Sequence, residues 1–414
     1  MRLVILGGGG FRVPLVHGAL LADGSDPLVD EVVLHDLDVG RLRAISTVLA
    51  QQAAGCRHAP RLTVTQQLDE ALTGADAVFC AIRVGGVAGR TADERVALDL
   101  GVLGQETTGA GGVSYGLRTV PAAVEVAERV RRLAPRAWVV NFTNPAGLVT
   151  QAMQTVLGER VVGICDSPLG LVRRAAHALG HPLEDVSVDY AGLNHLGWLR
   201  GLRVDGRDML PDLLGDPVRL GGIEEGRRFG VPWLQAIGML PNEYLYYYYF
   251  TREAVAAARA GGSTRGEFLL AQQGEFYAAV DREPAGAWAT WESVRRERDA
   301  TYMREAHAGE QAAPPASARA RAGAPRHRAE ADGGGGGYEG VALSLLTALV
   351  RNEPATLILN VRNGRALPGL AEEAVVEVPC RVTAAGPVPC PVSPLTGHAL
   401  GLAQQVKAVE QLTI

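Results

Sequence analysis

Leu3-Val-Ile-Leu6 followed by Gly7-Gly8-Gly9-Gly10-Phe11-Arg12-Val13-Pro14 decides how this chain is read. Four apolar residues in a row form a strand buried on both faces, the kind found in parallel sheets. A glycine run then allows a tight turn and a close backbone approach to a ligand. The pattern Leu15-Val16 and Ala19-Leu20-Leu21 starts a helix straight after it. Strand, glycine turn and helix N-terminus together form a cradle for a dinucleotide pyrophosphate. Val13 and Pro14 break the usual glycine spacing, so a plain flexible turn is the competing reading.

The next strand, Glu31-Val-Val-Leu-His-Asp36, ends in a carboxylate. An acid there suits the ribose hydroxyls of NAD and repels the 2′-phosphate of NADP. Asp36 or Asp38 also serves as a cap for the following helix, and both roles are compatible. Leu62–Thr65 and Ala75–Ile82 are two further strands, separated by a short helix at Leu68–Leu72. Gly104–Gly112 is glycine-rich with few apolar anchors and reads as a loop. Thr119–Leu133 reads as an amphipathic helix leading to the strand Ala137–Val140. This alternation predicts an α/β fold with an N-terminal Rossmann-like, doubly wound parallel sheet over 1–165. Beyond it, 166–414 reads as a second, α+β unit.

Three polar stretches follow apolar strands: Asn141-Phe-Thr-Asn144-Pro, Gly163-Ile-Cys165-Asp166 and Gly192-Leu-Asn194-His195. Placed at the carboxyl ends of parallel strands, they point into the crevice where such sheets bind ligands. Cys165 and His195 offer a soft thiolate and an imidazole, a pair suited to a transition metal. A buried cysteine and a capping histidine are the structural alternative. Leu199–Asp208 reads as a hairpin turning at Asp205-Gly206. Tyr244-Leu-Tyr-Tyr-Tyr-Tyr249 is mostly packing, with room for one base. Gly261-Gly-Ser-Thr-Arg265 reads as a loop.

The 414 residues are 47% hydrophobic and 21% charged, with net charge −5. Nothing in that balance points to nucleic acid or an anionic membrane. No apolar run spans a bilayer, and the five scattered cysteines suit a reduced, cytoplasmic protein. Residues 311–337 are rich in Ala, Pro, Arg and Gly and read as a mobile excursion.

Several motifs in order resemble glycoside hydrolase family 4, the NAD- and metal-dependent glycosidases, and within it the 6-phospho-β-glucosidases. They are the glycine turn with Pro14, Ile82-Arg-Val-Gly-Gly86, Gln105-Glu-Thr-Thr-Gly-Ala-Gly-Gly112, Asn141–Pro145, Gly163–Asp166, Gly192–His195, Tyr244-Leu and Val375-Val-Glu-Val-Pro-Cys380. The resemblance implies a second domain of the lactate/malate dehydrogenase type and a homodimer or homotetramer. It implies NAD on Gly7, Gly8, Gly9, Gly10, Phe11, Arg12 and Asp36. Manganese, or another divalent metal, would sit on Cys165 and His195. Arg90, Asn144 and Arg265 would hold a phosphorylated disaccharide or aryl 6-phospho-β-glucoside. Tyr244 matches the general base, Glu106 the carboxylate that raises its basicity, and Asp166 a general acid used in part of the family. The implied reaction oxidises carbon 3, removes the proton from carbon 2, eliminates the aglycone, adds water and re-reduces carbon 3. Members of the family run on for several helical turns past Val409–Leu412 and lack a stretch like 311–337. An altered assembly or lower stability is the expectation. A malate- or lactate-type dehydrogenase and a catalytically impaired nucleotide-binding protein are the rival readings.

Overall fold

The computed structural model describes residues 1–23, 26–301 and 337–414. The composition break at 311–337 therefore lies, apart from Gly337, outside the described residues. Among the described residues no helix is long and apolar enough to cross a membrane.

The strands are β1 (Arg2–Leu6), β2 (Glu31–His35), β3 (Arg61–Thr65), β4 (Ala77–Cys80), β5 (Trp138–Asn141) and β6 (Val161–Gly163). They lie in the order β3-β2-β1-β4-β5-β6 and every pairing is parallel. Leu3, Val4, Ile5 and Leu6 are 0–1% exposed, and Ala77 and Val78 are equally hidden, because helices cover both faces. β3 is the edge, and its side chains are correspondingly half-exposed. This is the Rossmann-like sheet expected from the first glycine turn.

The sheet does not stop at β6. It continues through β11 (Ala355–Arg362), β12 (Val375–Thr383), β7 (Val186–Leu193), β8 (Leu196–Val204) and β10 (Leu240–Pro241). These pairings are antiparallel. β9 (Arg207–Asp208) lies on β8 and β13 (Gly386–Pro389) on β12. One residue pair, Asn360 with Gly163, joins the two halves. A Cβ on Gly163 would lie 2.8 Å from the Asn360 Cβ and 2.5 Å from Thr150 Oγ1, so only glycine lets them meet.

Three expectations need correction. The strand before His195 is not parallel. β7 and β8 form an antiparallel hairpin with Asn194 and His195 at its tip, where His195 has φ +61°. The apolar run of β7 is buried on both faces late in its length, so its pattern matches that of a parallel strand. The glycine-rich loop is shorter than read, because the helix spans Gly109–Leu133. Gln105 Oε1 accepts from the Thr107 and Thr108 amides at 2.6 and 2.9 Å and organises that helix start. Gly111 and Gly112 lie so close to the Gln105 and Thr107 backbone that neither has room for a Cβ. Arg265, read on a loop, opens the helix Arg265–Arg282, which Thr264 and Glu267 cap reciprocally.

A Cβ at position 111 would stand 2.2 Å from the Gln105 carbonyl oxygen. Gly111→Ala is expected to cost about 2 kcal/mol or more in stability. Gly340, on the helix Tyr338–Arg351, faces open space. Gly340→Ala should be neutral or stabilising by about 0.5–1 kcal/mol. Urea unfolding of both variants checks the pair, and equal stabilities would contradict the packing described.

Candidate functional site

A cavity of about 1340 Å³ opens at the carboxyl ends of the parallel strands. Each strand contributes the residues that follow it. Gly7, Gly10, Phe11 and Arg12 come after β1, Asp36 after β2, and Arg83 after β4. Asn144 comes after β5, and Cys165 and Asp166 after β6. Arg90, Glu106, His195, Tyr244 and Arg265 complete the wall. Gly8 and Gly9 alone among the residues singled out do not line it. Gly8 lies against the backbone of Leu34 and His35, and Gly9 against Arg41.

The glycine turn is built by close contact. Gly7 has φ +82°, and a Cβ there would lie 2.4 Å from the Ala81 carbonyl oxygen. The Gly7 and Gly8 amides donate to the His35 carbonyl at 2.9 and 2.8 Å. The Gly9 amide donates to Asp36 at 3.1 Å. Asp38 caps the helix Val39–Gln52, accepting from Arg41 N at 3.0 Å. Both acids line the cavity, and Asp38 is the one that caps the helix. The Phe11 ring is buried against Phe276 and Trp291, so only part of this residue meets the cavity. Arg12 lies over the rings of Tyr338 and Phe142.

Glu106 forms ion pairs with both Arg83 and Arg90. Arg90 also donates to Glu94 at 2.7 Å. Burial alone would raise the Glu106 carboxyl, but the two guanidinium groups outweigh it and bring it down to about 2. Arg83 was singled out only within a motif, and its pairing with Glu106 was not legible from spacing. Arg265 donates to Thr301 Oγ1 at 2.7 Å and to the Arg298 carbonyl at 3.0 Å. Asp166 stands at the head of the helix Ser167–Leu179 without using its side chain to cap it.

Tyr244 stacks on His195, with ring centroids 3.6 Å apart and planes 9° from parallel. The Asn242 side chain accepts from the Tyr244 amide at 3.0 Å and fixes this turn. Thr107 Oγ1 lies 2.8 Å from His195 Nδ1 and 3.2 Å from Gln105 Oε1. A hydroxyl that donates to Gln105 accepts from an Nδ1–H, which leaves Nε2 with its lone pair. Burial pushes His195 down to about 4, against the raising pull of Glu243, Asp166 and Glu106. The ring is therefore a neutral ligand. Burial, Glu377 and Asp166 push the Cys165 thiol well above its usual range. A divalent cation would reverse that and hold the thiolate. Among the described residues no group of three or more metal-ligating side chains gathers. Cys165 and His195, which both line this cavity, are a donor pair whose chemistry suits a transition metal.

Glu377 carries the support beneath this pair. It is fully buried and accepts from Tyr190 at 3.0 Å, Asn194 at 3.2 Å and Asn360 at 2.9 Å. Burial raises its carboxyl to about 7 despite those donors. Asn194 belongs to the tip that carries His195, and Asn360 to the strand paired with Gly163. The sequence offered Glu377 only as one residue of a motif.

Two family models match the chain. "Family 4 glycosyl hydrolase" covers residues 2–181, and "Family 4 glycosyl hydrolase C-terminal domain" covers 190–414. The chain belongs to glycosyl hydrolase family 4. A probable 6-phospho-β-glucosidase of Bacillus subtilis is 29% identical over all of this chain and 87% of its own length. A 6-phospho-α-glucosidase from gut microorganisms, solved with NAD and glucose-6-phosphate, superposes with a TM-score of 0.79 at 26% identity. That match covers 100% of this chain and 88% of the other. The 6-phospho-β-glucosidase of Thermotoga maritima, solved with manganese, NAD+ and glucose-6-phosphate, gives 0.77 at 25% identity, covering 100% and 88%. Malate dehydrogenase of Plasmodium falciparum shares the fold, at a TM-score of 0.53 and 14% identity. The expected fold class, with its dehydrogenase-like second part, is borne out.

Glu106 gives this family member a test of its buried charges. Its carboxyl sits below the unfolded value, so its stabilisation is present above about pH 4.5 and fades as pH falls toward 2. Glu106→Gln takes the counter-charge from Arg83 and leaves Arg90 with Glu94 alone, and should cost about 3 kcal/mol at pH 7. The gap from wild type should narrow as pH drops from 4.5 toward 2. Denaturant unfolding across that range checks it, and a gap independent of pH would contradict the ion-pair account.

Proposed function

We propose that this chain hydrolyses 6-phospho-β-glucosides by redox elimination, using NAD and a divalent metal such as manganese. The observation that carries this reading is one shared cavity. It joins a dinucleotide turn, a Cys–His pair suited to a metal, and a tyrosine stacked on that histidine. Solved relatives with NAD, manganese and glucose-6-phosphate support the choice of dinucleotide, metal and 6-phosphoglucosyl substrate. The chain would work as a soluble cytoplasmic homo-oligomer.

Bound, the dinucleotide supplies hydride exchange at carbon 3, and the metal polarises the oxygen there and acidifies the hydrogen on carbon 2. Gly7, Gly10, Arg12 and Asp36 would hold the dinucleotide, and Cys165 and His195 the metal. The remaining steps belong to side chains. Arg90, Asn144 and Arg265 orient the phosphorylated sugar. Tyr244 takes the proton from carbon 2. That electron pair forms the bond between carbons 1 and 2 while the bond from carbon 1 to the aglycone oxygen breaks. Asp166 gives the departing oxygen its proton. Water adds at carbon 1 and gives a proton back to Asp166, while Tyr244 returns its proton to carbon 2. Glu106, kept ionised by Arg83 and Arg90, is the carboxylate that would raise the basicity of Tyr244.

The α-glucoside reading has its own support. The 6-phospho-α-glucosidase structure superposes as well as the β enzyme does. Chromogenic 6-phospho-α- and β-glucosides, supplied with NAD and manganese, separate the two. Aglycone release without net accumulation of NADH is expected. Accumulated NADH without release would mean a dehydrogenase, and neither signal an impaired binder.

Tyr244→Phe keeps the ring and removes the hydroxyl. Its turnover should fall by about 10²–10⁴. In deuterium oxide the wild type should label carbon 2 of the product. Normal turnover in the variant, or unlabelled product from the wild type, would overturn the elimination route.

Cys165→Ser replaces a soft ligand with a hard, poorly ionised one. Activity should drop sharply and respond less to added manganese. Calorimetric titration with manganese should show weaker binding. A variant with full, chelator-resistant activity would refute the metal assignment.

A further inference from the structure

Five arginines converge at one end of the cavity: Arg12, Arg83, Arg90, Arg265 and Arg298. Arg83 and Arg90 are matched by Glu106 and Glu94. Arg265 spends its guanidinium on Thr301 and the Arg298 carbonyl. Arg298 is placed differently. It sits in the last turn of the helix Ala287–Ala300, and its Cζ stands 5.4 Å from the centroid of Phe11, at the glycine turn. Its carbonyl is held by Arg265, so its backbone is anchored. Its Nη1 is buried without a hydrogen-bond partner among the described residues. Burial first, then the positive charges of Arg12, Arg265, Arg90 and Arg83, hold its pKa well below the usual arginine range. A cation kept in such company is costly unless an anion joins it. A planar fork of donors matches the oxygens of a phosphoryl group.

We propose that Arg298 is an anion-binding residue of this cavity and that its ligand is a phosphoryl group. That group is either the phosphate of the sugar or the pyrophosphate of the dinucleotide, since Arg298 lies between the glycine turn and Arg265. The inference rests on the glucosidase reading for the identity of those ligands.

Calorimetric titration of wild type, Arg298→Gln and Arg298→Lys with glucose-6-phosphate, glucose and NAD tests it. Loss of a charge-assisted pair should weaken one phosphorylated ligand by about 10- to 100-fold in Arg298→Gln. Glucose should be unaffected. Loss confined to glucose-6-phosphate assigns the sugar phosphate, and loss confined to NAD assigns the pyrophosphate. Arg298→Lys keeps the charge and should recover most of the affinity. The ligand-free melting temperature of Arg298→Gln should be no lower than that of wild type, because a repelled charge is removed. Two results would overturn the proposal. One is wild-type affinity of Arg298→Gln for both glucose-6-phosphate and NAD. The other is equal weakening in both variants together with a lowered melting temperature. Phosphate binding that depends on Arg298, in a protein that cleaves no 6-phosphoglucoside, would sink the glucosidase reading and leave this one standing.

Discussion

The contact between Gly163 and Asn360 holds the two halves of this protein in one sheet. β6 carries Cys165 just beyond its end, and β11 brings in the antiparallel strands. The Asn360 side chain donates to Glu377, and Glu377 accepts in turn from Asn194 at the tip of the β7–β8 hairpin. His195 is the next residue. A buried chain of hydrogen bonds thus runs from the strand paired with β6, which precedes Cys165, to the turn that carries His195. Every member is buried or nearly so, where an unmade hydrogen bond is expensive. That expense is what holds the hairpin tip against the strands β11 and β12.

The second constraint is electrostatic. The cavity wall gathers ions that could not stand there singly. Glu106 is stable as a carboxylate because Arg83 and Arg90 flank it, and Arg90 is stable because Glu94 shares it. His195 stays neutral because burial outweighs three nearby acids. Behind the wall, Arg174 pairs with Glu225 at 2.5 Å and lies 3.7 Å from Glu243, the neighbour of Tyr244. Tyr244, stacked on His195, thus follows directly on a residue of this buried ion cluster.

The dehydrogenase likeness has a clear physical basis. A parallel sheet with a glycine turn after its first strand and an acid after its second serves any dinucleotide, whatever the second substrate. In this chain Cys165, the His195 hairpin and Tyr244 stacked on His195 share the cavity with that glycine turn and acid.

The sequence by itself determined the parallel sheet, because unbroken apolar runs such as Leu3–Leu6 are stable only when buried on both faces. It also determined the glycine turn, since Gly7 and Gly8 stand where a Cβ would strike the neighbouring backbone. The hairpin at Asp205-Gly206 was equally plain from its turn residues. Most candidate site residues were legible because they directly follow such strands. The tertiary structure alone decided the rest. An apolar strand does not reveal whether its partner is parallel, so the antiparallel setting of His195 was hidden. Glycines that look like a loop in Gly109–Gly112 instead seat a helix start against Gln105, a contact that spacing does not encode. The pairing of Glu106 with Arg83, the support of Glu377 and the buried guanidinium of Arg298 at the cavity join residues far apart in the chain. Only the folding of the chain brings those charges together, and no local pattern records it.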